Sequence, residues 1–285
     1  NAIIGGEWNT ALMAEAARLI VGALPDLATE DDPGRPLDTF PRQMERKDED
    51  AAPLVGALLR LLETAAVISD ASGTLRPPQA LWRHPRDTVE LATAWQSLAG
   101  AEERCQFVHV SCLERQRPSR LNALAERLES AEYDDNAPGL RRGSAEDWFD
   151  RVAQTDPSEA LAVLRLAEAF AEECTSYEWS QVRSRLRIIP TESGELATVS
   201  AVVLAPEGVG VPGRKPVAGE LLADAEAQRI LKEVLRVSEL DEDLWKEILD
   251  EALNVPLYPN EANDQGWRKF WSRLRRAPAR VRKDF

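Results

Sequence analysis

The chain has 285 residues, of which 44% are hydrophobic and 29% charged, with a net charge of −14. This is a globular composition, with eight Trp among the apolar residues, enough for one large core or two ordinary ones. The negative balance opposes nucleic acid and anionic membranes over the surface as a whole. No apolar run reaches the ~20 residues that cross a bilayer, and Glu15 and Arg18 break the first apolar stretch, unlike a secretory leader.

Three Cys cannot all pair with one another, so a reducing cytoplasm is the expected compartment. The opening Asn1-Ala2, without an initiator Met, reads as the scar of a segment cut from a longer protein. Residues 8–24 predict an amphipathic helix through Trp8, Leu12, Leu19, Ile20 and Ala23, capped by Asn9 and followed by Pro25. Residues 28–50, with Pro33, Gly34, Pro36 and Pro41, read as loop. Residues 51–64 read as a second helix with Leu54, Leu58, Leu61 and Leu62 on one side.

Residues 65–85 align without gaps on residues 186–206, with identities at Ser72/Ser193, Gly73/Gly194, Leu75/Leu196, Ala80/Ala201 and Pro85/Pro206. Both copies run from an apolar strand through Asp-Ala-Ser-Gly or Thr-Glu-Ser-Gly into a second short strand. The glycine supplies the positive φ of a tight hairpin, and the polar residues before it bond the turn. Two readings stay open: a true duplication, or two hairpins that share Ser-Gly and an apolar flank. Helical patterns follow at 87–99 and 117–131, and 133–143, which contains YDDNAPGLRRG, has linker composition. Ser144 is placed to cap a helix, and Asp156-Pro157 to start another through 159–174. Residues 219–236 and 241–253 complete the set, with acidic Asp241, Glu242 and Asp243 at the last helix start. The expected fold is mainly α with short β-hairpins: a first helix–hairpin–helix module over 1–132, a linker over 133–143, and a second module over 144–285 ending in a basic, Trp-containing helix.

Two motifs suggest chemistry. Gly208-Val-Gly210-Val-Pro-Gly213 spells G-x-G-x-x-G, but Pro212 and Pro216 obstruct the helix whose N–H groups would hold a pyrophosphate, so a loop is expected and no cofactor. Cys105, His109 and Cys112 would share one face of a helix in a spacing that suits zinc; as a strand, 105 and 109 would face away from 112. A structural zinc site needs a fourth ligand and buried thiols are ordinary apolar residues, so no metal is expected. No G-x-S-x-G elbow or P-loop occurs, and His84, before Pro85, is expected at the surface. No catalytic residue is assigned and the chain is expected not to be an enzyme.

The C-terminal stretch is different. From Asp264 to Phe285 eight Lys/Arg stand against two Asp, so the remaining 263 residues carry −20. Trp267, Trp271 and Leu274 recur at i, i+4 and i+7, flanked by Arg268, Lys269, Arg273, Arg275 and Arg276. Such a helix either docks its aromatic stripe on the protein's own core or offers it to a partner. The candidate partner-binding residues are Trp267, Arg268, Trp271, Arg275 and Arg276, for a protein or another domain of the same chain, with single-stranded nucleic acid as the alternative.

The segments GGEWNTALMAEAARLI, LDTFPRQ, VISDASGTLRPPQALWRHP, IIPTESGEL and WRKFWSRLRRAP together resemble the region that follows the ATPase domain in large bacterial proteins of the Hsp90-like, sacsin-type class. The resemblance touches about a third of the chain. It implies a non-catalytic interaction or scaffold segment of a multidomain, chaperone-type ATPase, binding a partner or client. The nucleotide site of that class lies in the preceding domain, so no ATP-binding residue is carried over.

Overall fold

A computed structural model describes residues 2–39, 57–129 except 59 and 63, 139–206, 209, 211, 213–253 and 261–283. The chain is mainly helical with short β-hairpins and divides into two units, Asn1–Val152 and Ala153–Phe285. No described helix is long and apolar enough to cross a membrane.

The first unit opens with helix α1 (Ala2–Ala23), so Asn9 lies inside it rather than capping it. Its buried side is Ala17 and Val21, continued by Leu24 just past its end, whereas Leu12 and Leu19 are exposed. The expected loop that follows contains a 3₁₀ turn at Arg35–Thr39, with Pro36 and Leu37 buried. The expected helix over 51–64 lies partly outside the described residues. Helices α2 (Val89–Leu98), α3 (Ala101–Arg104), α4 (Arg117–Glu129) and α5 (Ala145–Asp150) complete this unit. Leu58, Leu62, Ile68, Leu81, Val108, Leu121, Leu124 and Leu140 meet in one core with α1.

The second unit holds α6 (Pro157–Glu172), α7 (Ser176–Arg183), α8 (Gly219–Ala223), α9 (Ala225–Arg229), α10 (Glu242–Leu253) and α11 (Glu261–Arg276). The expected helix over 219–236 breaks at Asp224, which caps α9 by accepting from the Glu226 and Ala227 amides. After α9 the backbone widens into a π-turn at Ile230–Val234. Ser144 and Asp156 cap α5 and α6 as their sequences predict.

Both hairpins form, and in the same register. Strands β1 (Ile68–Ser69) and β2 (Leu75–Arg76) pair Ile68 with Arg76 and Ser69 with Leu75. Strands β3 (Ile189–Pro190) and β4 (Leu196–Ala197) pair Ile189 with Ala197 and Pro190 with Leu196, every position shifted by 121. Gly73 and Gly194 hold the turns at φ 87° and 76°. The likeness extends past the aligned residues. In the first unit Trp82 bridges Phe107 in parallel, Asp70 bridges Val108, and Arg83 bridges Arg142. In the second, β5 (Val202–Val203) pairs in parallel with β6 (Lys215–Pro216), Thr191 bridges Val217, and Leu204 bridges Glu239. The helix after each frame is capped alike: Ser144 accepts from Asp147 N, Asp241 from Leu244 N, and Trp148 and Trp245 are buried one residue further on. Long-range pairing on this scale is not a by-product of a shared Ser-Gly turn, so the two units repeat one frame.

The boundary lies further along the chain than the linker composition suggests. Residues 133–138 are outside the described set, but 139–143 are not free. Leu140 is fully buried, its amide donates to Leu81 O, and Gly143 N donates to Arg83 O. Trp148 stacks on Trp95 at 5.9 Å. Residues 139–152 therefore belong to the first unit and not to a second module starting at 144.

Candidate functional site

Helix α11 forms because its apolar residues fall at helical spacing, but their phase differs from the expected stripe. Phe270 is buried, Trp267 and Leu274 are half-buried, and Ala277 closes the face. They pack on Trp245, Ile248 and Leu249 of α10. At about 100° per residue the core-facing side runs from Phe270 through Leu274 to Trp267. This leaves Trp271 at its edge, 51% exposed, with its ring 5.4 Å from Phe270.

Arg268, Trp271, Ser272, Arg275 and Arg276 line a shallow concavity of about 470 Å³ beside that ring. Ser272 is small and stands one turn from both Arg268 and Arg276, which leaves the hollow. Four of the five expected partner-binding residues are thus brought together. The fifth, Trp267, turns to the core, and Ser272 joins the site without any signal in its sequence. The arrangement offers an aromatic plane for stacking, basic side chains for anionic groups, and a rigid backing through Phe270.

Two titratable residues of the first unit, His84 and Cys112, are fully buried. His84 is fully buried rather than at the surface, among Trp95, Phe107 and Trp148. Trp148 Nε1 donates to His84 Nδ1 at 3.0 Å, so the proton sits on Nε2, which donates to Val108 O at 3.1 Å. Burial pushes the imidazole down to about 4, and it is neutral at pH 7.

The Cys105–Cys112 stretch is neither of the forms considered. Residues 105–106 turn, 107–108 make bridges, and Val110–Leu113 is a 3₁₀ turn. His109 Nδ1 accepts from the Ser111 amide and bonds its hydroxyl, and burial lowers the imidazole pKa. Burial raises the Cys112 thiol to about 12, so it is protonated at pH 7. Among the described residues no group of three or more His, Cys, Asp or Glu could hold a metal ion. Of the glycine motif, Gly208, Gly210 and Pro212 lie outside the described residues.

A buried ionic group ties separate stretches of the first unit together. Arg117 is fully buried and grips Asp32 with two bonds of 2.7 Å and Asp38 with bonds of 3.0 and 2.6 Å. Its Nη1 also donates to Ser111 O. These bonds hold both carboxyls below their usual range. Gly34 fits beneath because a Cβ there would lie 2.8 Å from the Ser111 backbone. Compared with known proteins, the chain matches no family model, no curated protein and no solved structure.

Proposed function

We propose that this chain is a non-catalytic interaction segment that binds an acidic partner segment on the outer face of α11. The observation behind this reading is Trp271, half exposed among Arg268, Arg275 and Arg276 on a helix whose other side is fixed to a core. Trp and Arg are the residue types that carry most binding energy at interfaces. A carboxylate-rich peptide with one apolar anchor fits both features. The resemblance noted above implies that such a segment belongs to a larger Hsp90-like ATPase, where it would pass on conformational change or hold clients. A native band far above 31.7 kDa with an antibody to this chain supports that placement, and a band at that mass opposes it.

The binding test is calorimetric titration of the chain with an Asp/Glu-rich peptide carrying a central Leu or Trp. Trp271→Ala and Arg275→Ala should each weaken binding at least tenfold without unfolding the chain. The same face also fits single-stranded nucleic acid, by base stacking on Trp271. If an oligonucleotide binds and the peptide does not, with affinity falling steeply in salt, that second reading replaces the first. Binding of neither overturns both.

A further inference from the structure

The second unit contains another basic concavity, remote in sequence from α11. It measures about 280 Å³ and is lined by Arg183, Ser184, Val199, Ser200, Arg214, Arg236 and Ser238. Four separate stretches bring these residues together: the C-terminal end of α7, the 3₁₀ turn Val199–Ala201, the stretch before β6, and the link after the π-turn. We propose that this concavity binds a phosphate monoester, with the three guanidinium groups on its oxygens and the serine hydroxyls around them.

Three observations converge. The first is charge without compensation. Elsewhere in this unit the basic side chains of Arg165, Lys215, Arg229 and Lys232 each meet a glutamate. Among the described residues, no carboxylate lies within ion-pair distance of Arg183, Arg214 or Arg236. Arg183 is half-buried and its pKa is lowered, by burial first and then by the like charge of Arg236. Like charges gathered at one hollow suit an anion that neutralises them, and the arginine fork matches phosphate geometry.

The second is strain. Arg236 sits at φ 57°, in the left-handed region that costs a residue with a Cβ. The repeated frame identifies its counterpart. Arg83 N donates to Arg141 O and Leu204 N to Ser238 O. Two residues before these carbonyls stand Gly139, at φ 48°, and Arg236. The first unit thus meets the same backbone need with glycine. The counterpart of Arg183, by the 121-residue shift, is the buried Leu62. The frame itself requires no arginine at either place.

The third is the π-turn beside the hollow. Its end leaves the Val234 and Leu235 carbonyls to side-chain donors, Trp179 Nε1 at 3.0 Å and Arg183 Nη1 at 3.1 Å. π-turns concentrate at functional sites. Here the turn fixes one guanidinium at the rim of the cavity, whose size suits a phosphoryl group on a short body.

The test is titration of the 285-residue chain, at roughly physiological ionic strength so that diffuse attraction is screened. The probes are inorganic phosphate and a phosphoserine peptide with its unphosphorylated twin. Saturable one-to-one binding of a phosphorylated probe is expected, and Arg183→Met and Arg236→Gly should each weaken it at least tenfold. Arg236→Gly also relieves the backbone, so its Tm should equal or exceed that of the parent, which separates lost binding from lost folding. Peptide binding tenfold tighter than inorganic phosphate identifies a phosphorylated protein as the source. Equal or weaker peptide binding identifies a small phosphate ester. If neither phosphorylated probe saturates, or if both variants bind within twofold of the parent, the proposal is overturned.

Discussion

The two units build the same hydrogen-bonded frame and fasten the preceding segment to it in opposite electrostatic styles. In the first, the 3₁₀ turn at Arg35–Thr39 is held to α4 by one buried arginine between two aspartates. In the second, α6 is held to α9 by Arg165–Glu226 and Glu168–Arg229, pairs in which both members are partly exposed. The two units share their backbone pairing and differ in the side chains that brace it. The common element is the register, which matters because a slip of one residue would turn every side chain to the other face.

The fastenings give the largest test of that contrast. Arg117→Ala leaves Asp32 and Asp38, 25% and 33% exposed, without the buried cation they share, at a cost at or below the about 3–5 kcal/mol of breaking a fully buried pair. Arg165→Ala removes a pair whose members are 56% and 40% exposed, and such surface pairs contribute about 0–1 kcal/mol. Hydrogen exchange read by mass spectrometry reports each unit separately. Protection should drop across 30–39 and 110–125 in the first variant and barely change in the second. Equal losses would mean that burial does not distinguish the two braces.

Acid should separate the units next. Both histidines of the chain, His84 and His109, lie in the first unit. His84 titrates near 4 when folded and near its ordinary value of about 6.5 when unfolded, so below 6.5 the unfolded state takes up the extra proton. Its contribution is complete above about pH 6.5 and disappears as pH falls towards 4, a loss of about 3 kcal/mol. His109 acts in the same direction. Urea melts between pH 7 and 4.5 should weaken the first unit well before the second, and His84→Gln should flatten that dependence. A first unit as acid-resistant as the second would contradict the buried neutral imidazole.

What the sequence discloses about this molecule is its local chemistry. The hairpins were legible because Ser72-Gly73 and Ser193-Gly194 carry the turn within four residues, and the caps Ser144 and Asp156 because a cap needs only its own first turn. The stretches that pair beyond the turns, Phe107–Val108 and Lys215–Pro216, are not legible, since two residues show no periodicity and their partners lie outside their own turn. The burial of His84 is hidden for the same reason: Trp148, one of the three rings around it, lies 64 residues away. At the α11 site the residue types were legible and the phase was not. Trp267 and Trp271 sit one turn apart, and Phe270 decides which of them faces the core.

The smallest test asks whether the repeat is one of backbone or of side chains. Gly73→Ala and Gly194→Ala put a methyl group where nothing lies within 4 Å, so neither creates a clash. Their cost is that of forcing alanine to φ 87° or 76°, about 1–2 kcal/mol. The side chains bracing the turns differ. Asp70 accepts from Ser72 N, Ser72 Oγ, Thr74 N and Arg76 Nε. Thr191 instead bonds Ser193 Oγ and donates to Glu195 O. If the shared frame sets the conformation, denaturant midpoints of the two units should fall by equal free energies, within about 0.5 kcal/mol. A clearly larger loss at Gly73 would mean that the carboxylate of Asp70 locks its turn while the second can relax. The copies would then share a register but not a mechanism for holding it.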